Sequence, residues 1–373
     1  MKNLRCACIA AMMALPLLAA AAIPAYYTSS PATGRYSWAT ALNDEGRYGV
    51  NSAAPDIPYE VASIQGGQTV ESLGSLGGSI TRISGLNNLG EAVGMSTTAT
   101  GAAGTFLYSA GRMDDLTARY GIVEASDIND RGEIAARTAD GRALALRNGV
   151  VNDFGPPGSI PGDMNERGEL LVSYLVEGEG ERSAVYSRGK LTDLPRYGGQ
   201  QLYGNAINDA GWITGHFMTA EGRNHAFLYD GATITDLAPD AVNAMGYDID
   251  NLGQVVGVAD DRAVLYADGE LIDLNTLIDP GADLLLKSAD DSNNRGQILA
   301  HSCDRSGVFC YGSVLLSPVP AIPEPFAAAM LLAGLGVVAG TKAMPVTRRS
   351  SRNCFNWADA ISAIGHLWIR NRW

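Results

Sequence analysis

The stretch Asn205-Ala206-Ile207-Asn208-Asp209-Ala210-Gly211-Trp212-Ile213-Thr214-Gly215 decides how the rest of the chain is read, because its centre recurs. The motif Asn-Asp-x-Gly, or a close variant, ends at Gly46, Gly90, Gly132, Gly168, Gly211, Gly253 and Gly296, at intervals of 36 to 44 residues. Between the copies lie short β-prone runs separated by Gly, Asn and Asp. In the fifth unit these runs continue as His225-Ala226-Phe227-Leu228-Tyr229 and Ile234-Thr235-Asp236-Leu237. A unit of about forty residues cannot bury an apolar face alone, so its copies must pack on one another. The expected fold is therefore all-β, a seven-bladed β-propeller of four-stranded repeats. An open solenoid is the rival, but the short third interval suits blades with variable loops better than rungs of fixed length. The final unit lacks its fourth strand and ends at Val314-Leu315-Leu316-Ser317, so a strand from the region Tyr26 to Trp38 is expected to complete it.

The turn motif has a plain structural job. Its first Asn or Asp bonds the backbone two residues on, and Gly supplies the positive φ that closes the hairpin. Carboxylates beside the turns, at Asp127, Asp130, Asp163 and Asp248, are of the kind that hold Ca²⁺. None shows the alternating spacing of a calcium loop, so the turn reading is preferred and no cofactor is expected. Core positions are assigned to Phe106, Leu144, Val185, Phe227, Val264 and Phe309. The recurring pairs Asp115-Leu116, Asp153-Phe154, Asp193-Leu194, Asp236-Leu237 and Asp273-Leu274 read as a packing residue beside a turn-capping one.

This repeat resembles the HAF repeat of exported bacterial proteins, named for the string His225-Ala226-Phe227, and the resemblance runs from Tyr36 to Ser317. At the N-terminus, Lys2 and Arg5 precede an apolar run from Cys6 to Ala22 and small residues ending at Ala25, the layout of a secretory signal peptide over 1–25. At the other end, Pro323-Glu324-Pro325 is followed by an uncharged stretch from Phe326 to Gly340 and then by Lys342, Arg348, Arg349 and Arg352. That pattern resembles the PEP-CTERM sorting signal of Gram-negative bacteria that make exopolysaccharide. The resemblance implies export, a transient hold in the inner membrane and cleavage near Pro-Glu-Pro by an exosortase. A fifteen-residue helix reaches about 22 Å against a hydrocarbon core of about 30 Å, which makes a marginal anchor. The expected order is thus leader 1–25, repeats 36–317, linker 318–325, apolar helix 326–341 and a basic segment with an atypical tail over 342–373. In the tail, Trp357, Ile361, Ile364 and Trp368 recur at helical spacing, as in a surface helix, although an extension without a role reads equally well.

With 40 acidic against 27 basic residues the chain has a formal charge of −13, and both ends are basic, so the repeats are more acidic still. Such a body repels nucleic acid and anionic lipid and leaves cations or neutral sugars as partners. Cys6 and Cys8 fall in the leader and Cys354 in the tail, leaving Cys303 and Cys310 as an even pair. In an oxidising compartment they are expected to bond, worth about 2 to 3 kcal/mol for so short a loop. Two thiols alone do not suggest a metal site.

A site on a repeat scaffold should appear where a residue departs from what the repeat needs. The residue after the turn Gly is Arg47, Glu91, Glu133, Glu169, Trp212, Gln254 or Gln297, so Trp212 is expected to be exposed and to offer a stacking face to a sugar. His216 and His225 lie on opposite arms of a hairpin and are expected to face each other, an incomplete zinc set. The position of His225 is Gly104, Arg142, Ser183, Arg262 or Gly307 in the other units. No Gly-x-Ser-x-Gly, His-Glu-x-x-His or phosphate loop occurs. The expected function is a non-enzymatic, exported protein of the cell surface or exopolysaccharide matrix that binds through its propeller. The alternative is a propeller lyase or hydrolase acting on polysaccharide or a small lactone, with His216, His225 and Tyr229 as nominal catalytic residues.

Overall fold

A computed structural model describes residue 24 and residues 26–33, 37–54, 57–153, 155–307 and 309–319. The leader except Pro24, the Pro323-Glu324-Pro325 motif, the apolar stretch 326–341 and the basic tail with Arg348 and Arg349 lie outside the described residues. Among the described residues no helix is long and apolar enough to cross a membrane. The α-helix described, Leu116–Tyr120, is five residues long; nearly all other regular structure is strand.

The fifth unit sets the pattern. Strands Gln200–Ile207, Ile213–Met218, Asn224–Tyr229 and Ile234–Asp236 pair in sequence order, each antiparallel to the last. The same meander is built from Ile122–Ile128 to Val150–Asp153, from Ile160–Met164 to Lys190–Asp193, and from Ala244–Ile249 to Glu270–Asp273. An eight-stranded sheet holds two further meanders, Ser37–Leu42 to Thr69–Ser72 and Gly77–Leu86 to Arg112–Asp115, joined by the single parallel bridge Glu60 to Ile80. The last sheet combines Leu285–Ser292, Ile298–Cys303 and Cys310–Val319 with Tyr26–Pro31 from the opposite end of the chain. Tyr26 lies opposite Val319 and Pro31 opposite Val314. The completing strand stops at Pro31, and Trp38 belongs to Ser37–Leu42, which opens the first unit instead.

The turns close this row of sheets into a ring. Each turn Gly has positive φ, from 68° at Gly132 to 82° at Gly211 and Gly253. In six of the seven turns the first residue is a buried Asn, with Asp250 in the other, and its Oδ1 accepts backbone N–H groups of its own turn, as Asn208 does from Ala210 and Trp212. Its Nδ2 then donates to a carbonyl of the next turn: Asn43 to Asn87, Asn87 to Asn129, Asn129 to Asn165, Asn165 to Asn208, and Asn208 to Asp250. Asn293 donates to Asn43 at 2.9 Å and so joins the last turn to the first. A second circle runs through the next residue, whose backbone N–H donates to the side-chain oxygen of its counterpart. It passes through Asp44, Asn88, Asp130, Glu166, Asp209, Asn251 and Asn294 and returns to Asp44.

Side chains from facing sheets fill the space between units. Phe106, Leu144 and Phe227 are fully buried, and Val264 nearly so. Two assigned core positions differ. Val172 pairs with Ala184 as Gly215 pairs with Phe227, so Ala184 holds the core place and Val185 is only half-buried. Phe309 is 55% exposed because it sits in the hairpin between the two cysteines, where no neighbouring sheet covers it; Val314, paired with Ala300, takes the core place. Leu116, Leu237 and Leu274 are buried, while Asp115 caps the short helix and Asp273 the 3-10 turn that follows it.

Candidate functional site

The inner strand of each unit slips register just before its turn. The extra residues are Ala41, Ser84, Ser126, Asn205, Tyr247 and Asp290, and Gly162-Asp163 fill the equivalent slip in the fourth unit. A bulge shifts the alternation of side chains by one place and re-aims them. Here the result is an axial channel of about 600 Å³ lined by Ser84, Ser126, Asn205, Tyr247, Asp290 and the turn residues. Among the described residues no Lys, Arg or His lines it. Ser126 Oγ donates to the Gly162 carbonyl and Asn205 Nδ2 to the Gly246 carbonyl, both at 2.7 Å.

Two residues before the first turn residue, four units carry a carboxylate: Asp127, Asp163, Asp248 and Asp291. Each reaches the following unit. Asp127 Oδ2 accepts from the Met164 N–H, Asp163 Oδ2 from Ile207, Asp248 Oδ2 from Ser292, and Asp291 Oδ2 from Leu42. Protein surrounds these groups, and each keeps part of its surface on the channel. Burial therefore pushes all four carboxyls up, and Asp163 and Asp291 rise well above the ordinary range. Asp127 also bonds Asp163, and Asp248 bonds Asp291, so each pair holds a shared proton to higher pH than a free carboxyl would. Burial likewise raises Asp290, against the nearby His301. Asp127, Asp163 and Asp248 thus act first as acceptors for a neighbouring unit's backbone. The turns carry the structural role that their chemistry suggested.

Residues selected by departure from the repeat are placed elsewhere. Trp212 is half-buried rather than exposed. It packs against the buried cluster that includes Ala206, Ala244 and Val255 and lies so close over Gly253 that a Cβ there would come within 2.4 Å of its ring. Arg47 covers Gly90, Glu133 covers Gly168 and Gln297 covers Gly46 in the same way, so in these units the residue after the turn Gly roofs the next turn, whereas Gly296 meets Pro318. A ring face held in that contact is not a free sugar platform.

His216 and His225 do not face each other. His225 pairs with Phe217 and His216 with Ala226, so the two imidazoles project from opposite faces of the hairpin. His216 stacks on Tyr203 at 5.1 Å, and burial lowers its pKa. His225 Nδ1 lies 2.7 Å from Asp236 Oδ2, while Nε2 is buried without a hydrogen-bond partner. Tyr229 donates its hydroxyl to the Gly231 carbonyl. The three nominal catalytic residues therefore do not converge, and none lines the channel.

The repeat explains His225 instead. Arg182 meets Asp193 at 2.6 Å and Arg262 meets Asp273 at 3.5 Å from the equivalent places, two residues before the core position. The fourth-unit counterpart of His225 is thus Arg182, not Ser183. The His of His-Ala-Phe and the Asp of Asp-Leu are cross-strand partners. Cys303 and Cys310 are joined by a disulfide with a sequence separation of 7.

No protein-family model and no curated protein matches this chain. Among solved structures it is similar to Pyrococcus horikoshii acylaminoacyl peptidase, with a TM-score of 0.53 and 12% identity over 80% of this chain and 54% of that one. The chain thus spans about half the length of that enzyme. It is also similar to YCF48 bound to D1 peptide, with a TM-score of 0.50 and 12% identity over 80% of this chain and 96% of that one. A six-bladed β-propeller lectin from Aleuria aurantia aligns at 9% identity and a TM-score of 0.33, covering 81% of this chain and 99% of its own. At such identities the likeness concerns the fold alone, and the antiparallel meanders closed into a ring are those of an all-β propeller.

Proposed function

We propose that this protein is an exported, non-enzymatic protein of the cell surface or exopolysaccharide matrix, built on a seven-bladed β-propeller whose axial channel and rim bind neutral polysaccharide. The wall of the channel carries this reading. Its bulge residues offer hydroxyl, amide and carboxyl oxygens in a space of about 600 Å³ with no basic group among its lining residues. Groups of that kind hydrogen-bond to sugar hydroxyls, and their negative excess disfavours polyanions. The check is binding of the full-length protein to a panel of neutral and acidic polysaccharides. Binding to neutral glycans is expected, weakened at least tenfold, about 1.4 kcal/mol, by Asp290→Ala. No binding to any neutral glycan, or no change in the Asp290 variant, defeats the proposal.

Processing at the C-terminus belongs to the same reading. The sorting pattern that begins at Pro323-Glu324-Pro325 supports it. An exosortase-type cut near Pro325 then frees the protein. Intact-mass measurement of the exported protein is expected to find the residues after that site missing, and a mass that includes Trp373 contradicts the cut.

A further inference from the structure

We propose that His301, Cys303 and Cys310 form a redox-gated site for one soft divalent cation of the zinc class, available when the Cys303–Cys310 bond is reduced. Strand register makes the site. Cys303 lies opposite Cys310 across adjacent strands, and His301, two residues before Cys303, falls on the same sheet face. One imidazole nitrogen and the two sulfurs all lie within 4.8 Å of one another. Zinc binds thiolate sulfur at about 2.3 Å and imidazole nitrogen at about 2.0 to 2.1 Å, so tetrahedral ligand atoms stand roughly 3.5 to 3.8 Å apart. Three ligands already inside 4.8 Å need only side-chain adjustment to reach that spacing.

Burial gives the site a direction. Cys303 is fully buried, His301 is half-buried and Cys310 is exposed, so an ion would be held from within and keep one coordination position open to water. Asp290 lies near enough to His301 for their charges to interact, so a carboxylate stands in the neighbourhood of the imidazole.

The chemistry balances simply. Two electrons from a phosphine or dithiol cleave the disulfide, and each sulfur takes one proton. Binding a divalent ion releases both protons and leaves two thiolates beside a neutral imidazole. The oxidised protein presents His301 alone, which is too little to hold the ion. Oxidant and metal thus compete for one pair of sulfurs, with the disulfide favoured in an oxidising compartment.

The test uses the full chain with Cys6, Cys8 and Cys354 each replaced by Ser, so that Cys303 and Cys310 are its thiols. After reduction by a phosphine, titration with Co²⁺ is expected to give one equivalent of binding with a thiolate-to-cobalt absorption band that Zn²⁺ displaces. The oxidised protein is expected to show no band. His301→Ala should weaken binding at least tenfold, and Cys310→Ser, at an exposed hairpin position, should remove the band while circular dichroism stays unchanged. A reduced protein that gives no band overturns the proposal. So does a His301→Ala protein that titrates like its parent, because the two thiols would then act without the imidazole.

Discussion

Replacing Asp250 by Asn is expected to stabilise the protein by on the order of 2 kcal/mol at pH 7.5, with most of the gain gone at pH 4. Six of the seven turns begin with Asn, and each donates Nδ2 to the next turn. Asp250 has no N–H to offer at the one remaining junction. Its oxygen accepts from Leu252 and Gln254 within its own turn, as the asparagines do. Burial nevertheless raises its pKa to about 6, and the charge of Asp248 adds to that, against those backbone bonds. Tyr27 also faces this carboxylate, which helps to raise the phenol's pKa.

The sign follows from that shift. A carboxyl whose folded pKa lies above its unfolded value binds its proton more tightly in the folded state. Its favourable contribution is complete below about pH 4 and is lost as pH rises through about 6. Asn removes the ionisation and restores a donor toward Asn293. Denaturant unfolding of both proteins at pH 4 and pH 7.5 measures the difference. A variant no more stable than its parent at pH 7.5 refutes this account of the junction. The raised aspartates Asp127, Asp163, Asp248 and Asp291 keep their own pH dependence in both proteins.

The reciprocal change, Asn129→Asp, is expected to destabilise by about 3 kcal/mol at neutral pH. Asn129 is 2% exposed and uses every hydrogen-bonding edge it has. Nδ2 donates to Glu133 Oε2 and to the Asn165 carbonyl, and Oδ1 accepts from the N–H groups of Arg131 and Glu133. Asp preserves the accepted pair but turns both donated bonds into oxygen against oxygen, one of them against a carboxylate. Protonation at low pH restores a single donor, so the loss should shrink toward pH 4. A loss below about 1 kcal/mol at neutral pH would mean that these links do not hold neighbouring units together.

The turn chemistry was legible because an Asx side chain and a positive-φ Gly act within four residues. The preference for Asn over Asp was visible too, but its cause lies one unit away, at a carbonyl about 42 residues on, as from Asn208 to Asp250. Departure from the repeat singles out Trp212, which the structure half-buries over Gly253. The channel wall instead comes from Ser84, Ser126, Asn205, Tyr247 and Asp290, which also vary from unit to unit. Their inward aim depends on a register slip that simple alternation along a strand does not reveal. The same one-place sensitivity separates His216 from His225 and moves the core place from Val185 to Ala184.

The chain by itself determined the repeating unit, the position of each turn and the pairing of an Asp-Leu strand with a small meander, since all of these arise from contacts between near neighbours. Tertiary structure decided that the row closes, through bonds such as Asn293 to Asn43 across 250 residues and the strand Tyr26–Pro31 beside Cys310–Val319. It also decided that the aspartates before the turns face a shared axis and one another. Closure brings together groups that no local rule relates, and burial at that axis gives ordinary carboxyls their altered proton affinity.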